Sequence, residues 1–116
     1  MISVPEIVLE RIAVATEPKG DFRLMARAAV LALGTDDFGG VIVATFSAPG
    51  RFPAVAVEAA SWLKLPASTP AFDLQLACSA YPYALYLAGK LAADTGRRIL
   101  VVDGDVQTPL VDANDP

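Results

Sequence analysis

Apolar and polar positions alternate along this chain in blocks that change period. Residues 6–14, Glu-Ile-Val-Leu-Glu-Arg-Ile-Ala-Val, are rich in β-branched residues and partly alternate, which predicts an extended segment. Thr16 to Gly20, with Pro18, reads as a loop. Asp21 is suited to cap a helix that runs to about Leu33, with Phe22, Met25, Ala29 and Leu33 near helical spacing on one apolar face. Gly34 ends it, and Thr35 to Gly40 is a turn. The continuous apolar run Val41-Ile42-Val43-Ala44-Thr45 predicts a strand buried on both faces.

A loop from Ser47 to Arg51 follows, and Pro53 in a favoured first-turn position opens a helix to about Lys64, stopped by Leu65-Pro66. Pro70 precedes a strand at 71–76. From Ser79 to about Asp94 only Lys90 and Asp94 are charged, so this helix is expected to be central and buried. Pro82 is tolerable in its first turn, where N–H groups lack helical acceptors. Thr95-Gly96 breaks the helix, residues 98–102 form another buried strand, and Asp103 to Pro116 turns polar and loop-like. Strands alternating with helices predict an α/β fold, a mostly parallel sheet with helices on both faces.

Chemistry concentrates at one junction. Cys78, the single cysteine, falls where the strand ending near Leu76 gives way to the helix beginning near Ser79. A thiol there faces the positive end of the helix dipole and free backbone N–H groups, which favour the reactive thiolate. A lone cysteine in an apolar stretch is equally readable as a small core residue, and locally that reading is the commoner one. Asp73, inside an apolar strand, is costly to bury unless hydrogen-bonded, so it reads as a structural anchor or a site-supporting residue, the former preferred.

Other motifs carry less. Gly39-Gly40 precedes a strand, whereas a phosphate loop follows one, so it is an ordinary turn. Asp36-Asp37 and Asp103-Gly104-Asp105 lack the pattern of a calcium loop and read as solvated carboxylates. Ser79 is outside any nucleophile-elbow motif. Tyr81, Tyr83, Tyr86 and Trp62 read as packing residues rather than a cofactor box.

Composition narrows the classes. The 116 residues suit about one small domain, and the 54% hydrophobic fraction is high for one, as if some apolar faces meet something else. A net charge of -4 without a basic stripe argues against nucleic acid. The longest uncharged run, Leu74 to Gly89, is 16 residues, short of a membrane span. One cysteine forms no intrachain disulfide, and the N-terminus lacks a signal-peptide form, so a cytoplasmic setting is expected. The chain has no histidine and one asparagine, Asn114, so these residues do not assemble a Cys-His site, nor a Ser-His or His-metal one.

From about residue 10 onward the order of segments resembles the N-terminal half of β-ketoacyl-[acyl carrier protein] synthase III, a family of the thiolase-like superfamily. The stretches that carry this are Leu9-Glu10-Arg11-Ile12-Ala13, Val41 to Thr45, Phe52-Pro53, Arg98 to Val106 with Asp112 and Asp115-Pro116, and above all Ala71-Phe72-Asp73 through Ala77-Cys78-Ser79 and Tyr83-Ala84-Leu85. The resemblance implies an acyltransferase of fatty acid or polyketide biosynthesis. Cys78 would be the catalytic nucleophile, its own backbone N–H part of the oxyanion hole. It would take an acyl group from acyl-coenzyme A and pass it to a decarboxylating malonyl-acyl carrier protein, both substrates, with no cofactor and no metal.

The resemblance also implies that Phe52, Ser79, Ala80 and Tyr81 lie at the substrate pocket or dimer interface of a homodimer. Phe52 would reach toward the partner subunit's acyl pocket, and the strand at 71–76 would be the sheet edge that pairs across the two-fold. Ala80 stands where the family usually has Gly, and Pro82 where it has an apolar non-proline residue, which reshapes the acyl pocket.

The family's catalytic His and Asn belong to its second half, so residues 1–116 read as a partial thiolase-like N-terminal domain, a segment of a longer synthase or a truncated product needing a partner. The alternatives are a non-catalytic dimerising fragment with a buried cysteine, or a superfamily acyltransferase with another acceptor. The family's first strand, taken as mid-sheet between 41–45 and 98–102, is expected to leave a gap unless residues 6–14 fill it.

Overall fold

Val41, Ile42, Val43 and Ala44 are all shielded from solvent, and the rest of the fold is arranged by which way each of them points. The computed structural model describes residues 12–14, 22–34, 37–45, 54–76 and 80–104. Within them the order is α1 (Phe22–Ala32), β1 (Gly40–Ala44), α2 (Val55–Trp62), β2 (Ala71–Leu74), α3 (Ala80–Thr95) and β3 (Ile99–Asp103). The three strands form one parallel sheet in the order β2-β1-β3. The buried central strand and the α/β alternation are as the hydrophobic pattern requires.

Side chains alternate across the pleat. Val41 and Val43 share one core with Phe22, Ala26 and Val30 of α1, Val55, Ala56 and Ala59 of α2, and Leu100 of β3. Ile42 and Ala44 share the other core with Ala80, Ala84 and Ala88 of α3, joined by Phe72, Leu74, Ile99 and Val101. Helices therefore cover both faces. The β1-α2-β2 and β2-α3-β3 crossovers run in opposite directions across the sheet, and their helices on opposite faces give the two crossovers one hand.

Three expectations are corrected. No gap separates β1 from β3: they pair directly, from Gly40 opposite Ile99 to Ala44 opposite Asp103. Close approach at the start of this pair needs Gly39, whose N–H donates to Arg98 O at 2.7 Å and where an added Cβ would stand 2.7 Å from Arg97 Cβ. Nor do residues 12–14 fill any gap, since they form no strand and leave Ile12 and Val14 exposed; the rest of 6–14 lies outside the described residues.

The second correction concerns α3. It is not buried all round. Its buried side chains are Ala80, Ala84 and Ala88, an i, i+4, i+8 stripe of small residues, while Tyr81, Tyr83 and Tyr86 are exposed. The helix rests one side on the sheet, and among the described residues no further layer covers the other. The tyrosines thus do not take the packing role expected of them, whereas Trp62 does, half-buried against the α1–α2 core. The third is a rotation of α1. Its buried line is Phe22, Ala26 and Val30, with Met25, Ala29 and Leu33 half-buried beside it.

The helix ends follow their backbone chemistry. At the end of α2, Lys64 adopts a left-handed φ of 55°, Leu65 N–H donates to Ala60 O at 2.9 Å and Lys64 N–H to Ser61 O at 3.0 Å. That pair of bonds is a Schellman motif, here with lysine where glycine is usual. At the end of α3, Gly96 has φ 67° and its N–H donates to Ala92 O at 2.9 Å.

Candidate active site

All three strands are parallel, so their carboxyl ends lie along one sheet edge. In open α/β sheets this edge is where ligands bind. Two of the connections that leave it carry expected site residues, Phe52 after β1 and Cys78 with Ser79 after β2. Residues 46–53 leave β1 toward α2, residues 75–79 leave β2 toward α3, and residue 104 follows β3. The edge is closed by backbone bonds, Thr45 N–H to Leu74 O at 3.1 Å and Gly104 N–H to Ala44 O at 3.2 Å.

The start of α2 is held by an unusual donor–acceptor arrangement. Its preceding residue, Ala54, offers no side-chain cap. Asp73 of the neighbouring strand caps the helix instead, one carboxylate oxygen accepting the Val55 N–H at 2.9 Å and the other the Ala56 N–H at 2.9 Å. Val57 and Glu58 N–H groups both donate to Ala54 O, so the first turn is complete without solvent. The negative carboxylate also faces the positive end of the helix. Sequence reasoning raised Asp73 as a polar residue in an apolar strand but did not find its partners, which lie 17 and 18 residues away.

The remaining charges on this side serve structure. Arg23 Nε donates to Glu58 Oε2 at 2.8 Å, joining α1 to α2. At the opposite edge of the sheet Asp37 is exposed, as expected of a solvated carboxylate, and pairs with Arg97; Asp36 lies outside the described residues. Among the described residues no three His, Cys, Asp or Glu side chains are grouped to hold a metal ion.

Of the expected site residues, Phe52, Cys78 and Ser79 lie outside the described residues, as does Asp105. Ala80 and Tyr81 are consecutive in the first turn of α3 yet face differently. Ala80 is buried among Ile42, Ala44 and Ala84, while Tyr81 is 41% exposed. Cys78 falls in the connection between β2, ending at Leu74, and α3, beginning at Ala80.

Known proteins resemble this chain along most of its length. Residues 72–116, which include Cys78, match the family model of 3-Oxoacyl-[acyl-carrier-protein (ACP)] synthase III. The chain is 41% identical over 98 residues to β-ketoacyl-[acyl-carrier-protein] synthase III 2 of Streptomyces coelicolor, an overlap of 83% of this chain and 29% of that protein. It is 37% identical over 93 residues to β-ketoacyl-[acyl-carrier-protein] synthase III of Thiobacillus denitrificans, covering 78% of this chain and 29% of that protein. The crystal structure of a 3-oxoacyl-(acyl-carrier protein) synthase from Burkholderia xenovorans LB400 superposes with a TM-score of 0.69 at 31% identity, covering 87% of this chain and 31% of that one.

Over most of its own length the chain is homologous to 3-oxoacyl-[acyl-carrier-protein] synthases III. It spans under a third of the length of these synthases. Its parallel sheet with helices on both faces is a partial thiolase-like domain. These relatives are named as β-ketoacyl-[acyl-carrier-protein] synthases III. No helix among the described residues is long and apolar enough to cross a membrane.

Proposed function

We propose that this chain is the nucleophile-bearing part of a condensing enzyme, with Cys78 as the acyl acceptor. The observation that carries the reading is the family match over 72–116, which includes Cys78 in the connection from β2 to α3 at the carboxyl edge of the sheet. In the first half-reaction the Cys78 thiolate attacks the thioester carbonyl of acyl-coenzyme A. A new carbon–sulfur bond forms at Cys78, the bond to coenzyme A breaks, and coenzyme A leaves with its sulfur's electron pair. The Cys78 backbone N–H stabilises the oxyanion that forms in between. In the second half-reaction malonyl-acyl carrier protein loses carbon dioxide, its α-carbon attacks the acyl-Cys78 thioester, and the thiolate is released.

That second step needs a base and groups that stabilise the carbanion. With no histidine and only Asn114 in the 116 residues, these residues alone perform no condensation and stop at acyl-Cys78. Phe52, Ser79, Ala80 and Tyr81 shape the acyl pocket or the dimer contact. The working form is a cytoplasmic homodimer; the pairing is supported by β2 being the outer strand of the described sheet, paired on one side only among the described residues. No cofactor is required.

Mass spectrometry of the native chain after incubation with a short acyl-coenzyme A tests the reading, with Cys78→Ala as control. A single acyl adduct, absent from the variant, is expected. If a folded chain stays unmodified even when the remaining part of a family synthase is added, Cys78 is not the acceptor. The non-catalytic reading, a dimerising scaffold, is favoured by the exposed tyrosine side of α3 and predicts a Cys78 thiol that resists iodoacetamide until unfolding.

A further inference from the structure

In the chain, the segment carrying Phe52 precedes α2 and the segment carrying Cys78 follows β2. Asp73 of β2 bonds across to α2 through both Val55 N–H and Ala56 N–H. A helix that needs only stability is capped most simply by its own N-cap residue, with Ser, Thr, Asp or Asn at that position. Here that position is Ala54, which caps nothing. The cap comes instead from the neighbouring strand, and a cap supplied across elements fixes their relative placement as well as the helix end. Both carboxylate oxygens are engaged, so α2 neither slides along nor rotates on β2 without breaking one of two charge-assisted bonds. The apolar packing of Val55, Ala56 and Ala59 on Val41 and Val43 holds α2 on the sheet, and the two Asp73 bonds add direction to it.

We propose that Asp73 is a positioning residue for acyl transfer: its carboxylate locks the start of α2 to β2, the strand that precedes Cys78 in the chain. This rests on the reading of Cys78 as acyl acceptor. The same engagement removes the Val55 and Ala56 N–H groups from ligand binding, so the start of α2 serves the site as a fixed frame and takes no anion.

The test uses the full chain. Acylation of Cys78 by a short acyl-coenzyme A and its alkylation by iodoacetamide are timed well below the melting temperature in wild type, Asp73→Asn, Asp73→Glu and Val30→Ala. Asn keeps one acceptor and turns an N–H₂ toward the other amide. Glu keeps both acceptors. Val30→Ala loosens the same core from α1, on neither segment, and serves as the stability-matched control. Misplacement of a reacting group by a fraction of a bond length is expected to slow both reactions about tenfold or more in Asp73→Asn. Asp73→Glu recovers part of the rate, and Val30→Ala stays near wild type. Equal slowing in Asp73→Asn and Val30→Ala, or wild-type rates in Asp73→Asn, overturns the positioning role. A wild type that is never acylated but whose alkylation responds to Asp73→Asn removes the acyl-acceptor reading and leaves the positioning role standing. Should Asp73→Asn fail to fold, Asp73→Glu against Val30→Ala carries the comparison.

Discussion

Asp73, on strand β2, accepts the backbone N–H of Ala56, on helix α2, at 2.9 Å, and its other oxygen takes the adjoining Val55 N–H at the same distance. A strand thereby finishes a helix that its own sequence leaves open at Ala54. Removing the carboxylate leaves the N–H donors of two buried residues without acceptors. Asp73→Ala is expected to cost about 2–3 kcal/mol, from the loss of a helix cap and of charge-assisted hydrogen bonds. Urea unfolding measures the loss, and amide hydrogen exchange should show Val55 and Ala56 losing protection before the rest of α2.

How much of this was legible in the sequence differs by level. The strand at 41–45 announced itself because a continuous β-branched run fits a strand buried on both faces, and Gly34 and Gly96 marked helix ends where left-handed φ values of 71° and 67° are found. Asp73 announced itself as anomalous, but not its partners, because the bonds cross from one element to another. The direct pairing of β1 with β3 was hidden for the same reason: strand order is set by packing, and no local pattern encodes it. The apolar sides of α3 showed that the helix wants company on more than one face. They did not show that its described surroundings cover only the Ala80, Ala84 and Ala88 stripe.

Lys64 marks where the sequence departs from what its backbone asks for. Its φ of 55° closes a Schellman motif in which glycine carries no Cβ penalty. Lys64→Gly is expected to raise stability by about 0.5–1 kcal/mol, the relief of strain exceeding the added freedom of the unfolded chain. Lys64→Val, β-branched at the same φ, is expected to lower it. Thermal unfolding of the pair reads the sign directly.

Gly39 is required by space. A methyl group there would meet Arg97 Cβ at 2.7 Å, in the segment that leads into β3, and the contact atom is the rigid root of a side chain rather than its flexible end. Gly39→Ala therefore forces apart the entry to the β1–β3 pair, including the Gly39 N–H bond to Arg98 O, at an expected cost of about 1–3 kcal/mol. Gly96→Ala is a useful contrast, because nothing lies within 4 Å of the added Cβ and only the φ of 67° opposes it. Its cost is expected near 1 kcal/mol. Chemical denaturation of the two variants separates steric from conformational demand.

The two sides of α3 make opposite predictions for one helix. Ala84 is fully shielded in the core with Ile42 and Ala44, where an alanine stripe lets the helix lie close on the sheet. Ala84→Leu adds three carbons to a packed layer and is expected to cost about 1–3 kcal/mol or to lift the helix off the strands. Tyr83 is 58% exposed, so Tyr83→Ser removes little packing in the chain as described. Its stability change is expected within about 0.5 kcal/mol, as for surface positions generally. Chemical denaturation of the isolated chain measures both. The comparison becomes decisive when the same two variants are placed in a chain carrying the full length of a family synthase. If a further layer packs on the tyrosine side there, Tyr83→Ser acquires a cost that the 116-residue chain does not show, and Ala84→Leu remains costly in both.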